Sequence, residues 1–306
     1  MLTSFWESAG EGLSGKWLEL LISPAFIFWG GGIVIIAEQY GFDKAWLWIT
    51  NLDVKNQTAI IIIGFLVLSL SAVLMNQLRY IALRLLEGYW SWPFNFIGKP
   101  MVAFHQWNFQ RLQNRWNLLK SQEDKGILTA DGRREMSELE KRLHYYPTEM
   151  PDFLPTSLGN ALRSGEDAPY YKYGLDALTC WPRVWPLLPA EIQEDLSTSR
   201  QRLDSLVVLF IWGFLFITWA WWWHWAILIG LAWMVTAYSF AVQSAIIYSD
   251  LVESIFDTHR FELYMAAHWP LPKESGKDEV SAGKQLTEFL WRGTSANAVK
   301  FIHPKD

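Results

Sequence analysis

Along this chain the clearest pattern is where charge stops. Leu20–Ala37, Ala59–Met75, Leu206–Trp223 and Trp225–Ile247 contain no Asp, Glu, Lys or Arg. Each block is close to the ~20 apolar residues that carry a helix across a ~30 Å hydrocarbon layer. Elsewhere apolar positions follow a helical period. Phe109, Leu112, Trp116 and Leu119 recur at spacings of three, four and three, and Met136, Leu139 and Leu143 repeat the pattern after a turn at Thr129–Gly132. One stripe per helix predicts an antiparallel helix pair over Met101–His144, packed internally, with a coiled-coil-like partner surface as the alternative.

The helices of the apolar blocks are expected to outrun the blocks. Asn76–Glu87 has no breaker before Gly88, after which Trp90–Pro93 turns the chain. Pro189–Ser205 opens with proline in the favoured first turn and leads into the third block, while Tyr248–His268 extends the fourth as far as Pro270. Three stalk helices follow from this. Pro147, Pro151, Pro155, Pro169, Pro182, Pro186 and Pro189 exclude a long helix between them. With Tyr170, Tyr171, Tyr173, Trp181 and Trp185 they predict an ordered, irregular segment. The polar tail Lys273–Asp306 holds one short helix, Ala282–Trp291.

The predicted fold class is an all-α membrane protein, with four transmembrane helices, helical stalks and a mostly helical cytosolic module. Residues 1–75 hold the N-terminal segment and transmembrane helices 1 and 2. Residues 76–205 form the module: a stalk, the helix pair 101–144, the Pro/aromatic-rich 147–189 and a second stalk. Residues 206–247 are transmembrane helices 3 and 4 as a tight hairpin, and 248–306 are a stalk and the tail. Five tryptophans around His224 place the hairpin tip at a lipid–water interface. In the first block, Gly30, Gly31 and Gly32 allow close helix approach and Pro24 suggests a bend, or else the helix is broken or re-entrant.

Composition supports this division. Charged residues make up 19% of the 306, below the ~25% of soluble chains, and the deficit lies in the four blocks. The formal charge is −5, and the insert between the second and third blocks has no basic surplus, which argues against a nucleic-acid partner. Glu7 and Glu11 outnumber Lys16 before the first block, so that block reads as a retained span rather than a cleaved leader. Lys16, Arg79, Arg84, Arg200, Arg202 and Arg260 flank the spans on one side, against Lys44 and Lys55 on the other. Retention of positive charge inside puts both termini and the module in the cytosol.

Candidate chemistry is sparse. No HExxH, P-loop, GxGxxG or GxSxG run occurs, so no catalytic residue, metal site or cofactor is predicted. Cys180 is alone, which excludes an intrachain disulfide, and its neighbours suggest burial. On one helix Glu253 and Asp257 share a face while His259 points elsewhere, so these three alone are poorly aimed for a metal unless several copies converge in an oligomer. Arg79, Arg84 and Arg260 lie at depths comparable with Asp250, Glu253 and Asp257 and are expected to form ion pairs between stalks, which could switch on docking of a partner. Ala237, Ala241, Ala245 and Ser249 form a small-xxx-small stripe for helix packing, read as a self-association surface. Beside it run Thr236, Ser239 and Gln243, with Ser69 and Asn76 on the second span. These polar groups either bond across the bundle or line a wet path in an oligomer. Trp181, Arg183 and Trp185 are the candidate partner surface.

The runs LLEGYW (Leu85–Trp90), PTSLGN (Pro155–Asn160), YGLDA (Tyr173–Ala177), WPRVWPLLP (Trp181–Pro189), FDTHRFELY (Phe256–Tyr264) and FLWRG (Phe289–Gly293) together resemble those of a group of uncharacterised bacterial multi-pass membrane proteins. The resemblance implies a bacterial inner-membrane location and a shared build of the module, and it carries no activity. The functional expectation is a homo-oligomeric channel-like or membrane-perturbing protein controlled from its cytosolic module. The alternative is a non-conducting membrane scaffold that recruits a cytosolic partner.

Overall fold

The structure, a computed structural model, describes residues 23–90, 95–293 and 300–302. Glu7, Glu11, Lys16, the start of the first block at Leu20, the Ser91–Pro93 part of the predicted turn and His303 lie outside the described residues. Among those described there are ten α-helices and no strand. They are α1 (Pro24–Tyr40), α2 (Phe42–Thr50), α3 (Val54–Glu87), α4 (Asn95–Asp124), α5 (Ala130–His144), α6 (Ser157–Tyr173), α7 (Ala177–Val184), α8 (Ala190–Phe216), α9 (Trp225–Ala266) and α10 (Lys277–Arg292).

Three helical stretches are long and apolar enough to cross a membrane: α3, α8 with the 3₁₀ turn that follows it, and α9. The pair α1 and α2, bent by 107°, passes the same test only when joined. The chain divides into two compact units. One comprises Met1–Ala82 and Asp204–Phe240, the other Leu83–Leu203 and Ala241–Asp306.

In the first unit, α1 starts where proline is best tolerated. Ser23 caps it by accepting from the Phe26 N–H at 3.3 Å, and Pro24 occupies the first turn. Pro24 therefore opens the described helix rather than lying inside it. The chain turns instead at Gly41, whose φ of +93° few side chains tolerate. The central glycines serve close approach: a Cβ on Gly32 would collide with the Trp219 ring, and one on Gly31 would come within 3.0 Å of Phe216. These rings form a core with Ala25, Phe28, Ile35, Trp212 and Ala226. Near the hairpin, Gly213 faces Gly230, where an added Cβ would lie 2.8 Å from the Gly213 carbonyl oxygen. The 3₁₀ turn Ile217–Trp221 leads to α9 at Trp225. Helix α3 touches this unit along one edge, where Ser71 accepts from the Trp29 indole at 3.2 Å. Its most apolar 18-residue window contains no buried residue.

In the second unit, α4 and α5 form an antiparallel pair. Arg115 bonds Glu135 at 2.7 and 2.8 Å, and the Trp116 indole donates to Glu140 at 3.0 Å. The expected irregular segment is mostly helical. Thr156 caps α6 through the Gly159 N–H and Asp176 caps α7 through the Thr179 N–H. Pro169 falls in the last turns of α6, where the helix closes on Gly174 at φ +73°. Pro147, Pro151 and Pro155 precede α6 and Pro189 precedes α8, so most of the prolines punctuate helices rather than prevent them. A core of Leu175, Cys180, Val184, Leu196, Phe256, Leu263, Tyr264 and Leu286 joins α7, α8, α9 and α10.

Candidate functional site

The sequence runs that stand out are joints of the second unit. In LLEGYW and PTSLGN, Thr156 Oγ1 donates to the Glu87 carbonyl at 3.0 Å, and a Cβ on Gly159 would collide with the same carbonyl. YGLDA seats α10: Thr287 Oγ1 donates to the Gly174 carbonyl at 3.1 Å, and Gly174 leaves room for the Val280 backbone. From WPRVWPLLP, Arg183 donates to the Leu290 carbonyl of FLWRG at 3.0 Å. PTSLGN and YGLDA thus supply a small residue or a cap where two elements touch, and WPRVWPLLP supplies an arginine that ties α7 to α10.

The acidic residues of α9 sit in a polar cluster, but not with the expected partners. Glu253 meets His144 from α5 at 3.2 Å and Lys172 from α6 at 2.5 Å. Asp250 faces His144 at 3.8 Å and accepts from the Tyr145 hydroxyl at 3.3 Å. Asp257 accepts from Lys172 at 3.2 Å and from the Tyr173 hydroxyl at 2.6 Å. Arg260 pairs with Glu279 of α10 at 2.7 Å, and its guanidinium lies 4.2 Å from the Tyr173 ring centroid. Arg79 pairs with Asp204 at 3.5 Å and Arg84 with Glu87 at 3.3 Å. The six stalk charges are all paired, yet none of the described ion pairs joins one of these arginines to the carboxylate of Asp250, Glu253 or Asp257; Arg260 reaches Asp257 only at its backbone carbonyl. The cations come from α5 and α6, which stand about 80 to 110 residues away in the chain and carry no local pattern that announces them.

The electrostatics follow from this packing. The hydrogen bond from His144, backed by Lys172, holds Glu253 down at about 2, and the same bond raises His144. Burial raises Asp250 against the pull of His144. A second group went unforeseen: Arg163 bridges Asp152 at 3.3 Å and Asp167 at 3.0 Å. Burial lifts Asp167 to about 6. Burial also pushes the Cys180 thiol to about 12, which leaves it without the thiolate that nucleophilic chemistry requires. His259 bonds Glu262 at 3.0 Å and turns from Glu253 and Asp257. Among the described residues no group of three or more His, Cys, Asp or Glu is arranged to hold a metal ion. The carboxylates are already occupied by this chain's own cations.

The small-residue stripe packs helices, but inside the chain. Ala237, Ala241 and Ala245 are fully buried and Ser249 nearly so. At Ser249 the partner is α6, where Gly165 meets its backbone. In this structure the stripe is covered by the chain's own helices. Thr236, Ser239 and Gln243 face outward from the chain, as do Ser69 and Asn76. The Thr236 and Ser239 hydroxyls donate at 2.8 Å to the carbonyls four residues earlier, so they need neither water nor a partner.

Trp181 and Trp185 pack half-buried against the core of the second unit, with Trp181 6.1 Å from Phe256 between ring centroids. Their remaining faces line a groove of about 540 Å³ with Ser197, Arg200, Gln201 and Tyr248. The Arg200 guanidinium lies 5.5 Å from the Tyr248 ring centroid. Comparison with protein families, with characterised proteins and with solved structures gave no match.

Proposed function

We propose that this chain is an integral protein of a bacterial inner membrane, with both termini and the second unit on the cytosolic side. There it acts as an anchored platform for a soluble protein. The observation that carries this reading is the groove beside Trp181 and Trp185. Its aromatic walls stand on a core closed by α10 and by the ion pairs of α9, so the surface is rigid before a partner arrives. Aromatic and Arg residues are the types enriched in recognition surfaces.

The test is affinity purification from native membranes with and without Ser197→Trp, which fills the groove from an accessible position and leaves the two core tryptophans in place. Expected is one co-purifying protein in fixed proportion that the variant releases. An unchanged set of companions overturns the reading. Alkaline extraction and reporter fusions at Lys44 and at the C-terminus check membrane integration and orientation separately.

A homo-oligomeric, channel-like or membrane-perturbing protein controlled from the cytosolic module is the second reading. It is favoured by the outward placement of Thr236, Ser239, Gln243, Ser69 and Asn76 and by the uncovered apolar surface of α3. It requires an interface other than the alanine stripe. Flux through liposomes carrying the purified protein tests it. A monomeric protein with no flux in any state removes it.

A further inference from the structure

The half of α4 that precedes the predicted helix-pair stripe shows an outward face unlike the rest of the second unit. Phe96, Ile97, Phe104 and Trp107 are 72%, 42%, 59% and 55% exposed. Spaced at eight and three residues, Phe96, Phe104 and Trp107 share one face of the helix. Lys99 stands exposed beside them and Arg111 ends the run, its guanidinium 5.7 Å from the Trp107 ring centroid. The opposite face is fixed: Gly98 and His105 are buried, and Phe109 packs on Tyr146 and Phe153 at 5.6 and 5.4 Å between ring centroids. The aromatic face therefore cannot be hidden by rotating the helix.

A second observation gives its depth. Asn108 and Leu112 of α4 line a cavity of about 230 Å³ with Val242 and Ile246 of α9, and Arg142, Tyr145 and Tyr146 border the same space. Val242 and Ile246 lie inside the uncharged block that ends at Ile247. At 1.5 Å per residue this is roughly 2–8 Å within its apolar length. The middle of α4 therefore runs beside the last turns of the fourth span, at the level where an acyl layer gives way to headgroups. Apolar aromatics on one face and cations at its edges are what a helix lying in that boundary presents, with the Lys and Arg heads reaching for phosphate.

We propose that Asn95–Arg111 lies along the cytosolic leaflet. In this position Phe96, Phe104 and Trp107 sink toward the acyl boundary, and Lys99, Arg111 and Arg142 meet the headgroups of anionic phospholipid. The module then rests on the membrane by a second contact besides its spans. This rests on the membrane reading above, and the experiment separates the two.

Single-cysteine variants Phe104→Cys and Trp107→Cys, in a Cys180→Ala background, are spin-labelled and reconstituted in vesicles with and without anionic phospholipid. Collision with oxygen reports the acyl layer and collision with an aqueous nickel chelate reports water. Leu118→Cys, three turns further along the same helix, is the water reference, and Ile229→Cys on α9 is the membrane reference. Expected is oxygen access exceeding nickel access several-fold at 104 and 107, the reverse at 118, and partial loss of the difference without anionic lipid. Nickel access at 104 and 107 equal to that at 118 overturns the proposal while Ile229→Cys stays in oxygen. Label–label broadening that grows with protein density assigns the face to a second copy and also overturns it. Nickel access at Ile229→Cys overturns the membrane reading itself, and the proposal with it.

Discussion

Ser249 Oγ donates a 2.7 Å hydrogen bond to the carbonyl of Ala161, and Gly165, one turn further along α6, lies against the Ser249 backbone. A Cβ at Gly165 would fall 2.6 Å from Ser249 Cβ and 2.8 Å from its Cα. Overpacking of this kind costs about 1–3 kcal/mol. Gly165→Ala is expected to lower the melting temperature in detergent by several degrees. Gly64→Ala, where nothing lies within 4 Å, is expected to leave it unchanged. Equal effects would place the strain elsewhere.

Because the alanine stripe is covered by its own chain, Ala241→Leu and Ala245→Leu should destabilise the protomer by about 1–3 kcal/mol. The mass of the detergent-solubilised particle should not change. Ser239→Ala removes a hydroxyl bonded only within its own helix and should fall within about 0.5 kcal/mol of the parent. Light scattering after size exclusion, alongside thermal melts, distinguishes these outcomes. A smaller particle in Ala241→Leu or Ala245→Leu would return the stripe to an intermolecular role.

The His144–Glu253 contact sets a pH window for the stability of the second unit. His144 is raised in the folded state, so its contribution is complete below about 6.5 and is lost as pH rises through its folded value. Glu253 is lowered to about 2, so its contribution is present above about 4.5 and fades as pH falls toward that value. Both act together between about pH 4.5 and 6.5. His144→Gln is expected to flatten the fall in melting temperature above pH 6.5 and leave the acid limb intact. Asp167, raised to about 6 by burial, gives a separate loss between about pH 4 and 6 that Asp167→Asn should remove. Parallel curves for parent and His144→Gln would sink the assignment.

Cys180 is fully buried and its thiol is held near 12. A maleimide at pH 7 should leave it unmodified in the native protein and label it fully in denaturant, as mass spectrometry would show. Rapid native labelling would mean that the core of α7 and α10 opens readily.

Much of the architecture could be read from the chain because it is local. A gap in charge of about twenty residues needs no tertiary information to be recognised, and the runs Asn76–Glu87 and Tyr248–Ala266 continue as helix for want of any breaker. What was not legible depends on partners distant in sequence. Lys172 and His144 find Glu253 across 81 and 109 positions, and no spacing rule forecasts such a meeting. The outward facing of Thr236, Ser239 and Gln243 was equally hidden, since a helical wheel gives an angle between two faces but not which one meets the protein. The prolines between 147 and 189 conceal helices for a third reason: their density does not reveal their register against the caps at Thr156 and Asp176.

The second unit is drawn from two stretches separated by the hairpin, and α10 from the far end of the chain completes its core through Leu286. At ~5–20 residues per second during synthesis, the roughly 90 residues from Leu203 to Arg292 occupy the ribosome for about 5–20 s. Throughout that time the partly made module exposes the seat of its last helix. Synthesis of α10, rather than emergence of the module's largest portion, is therefore the moment at which this body can close, and a nascent chain stalled before Leu286 should remain a client of chaperones.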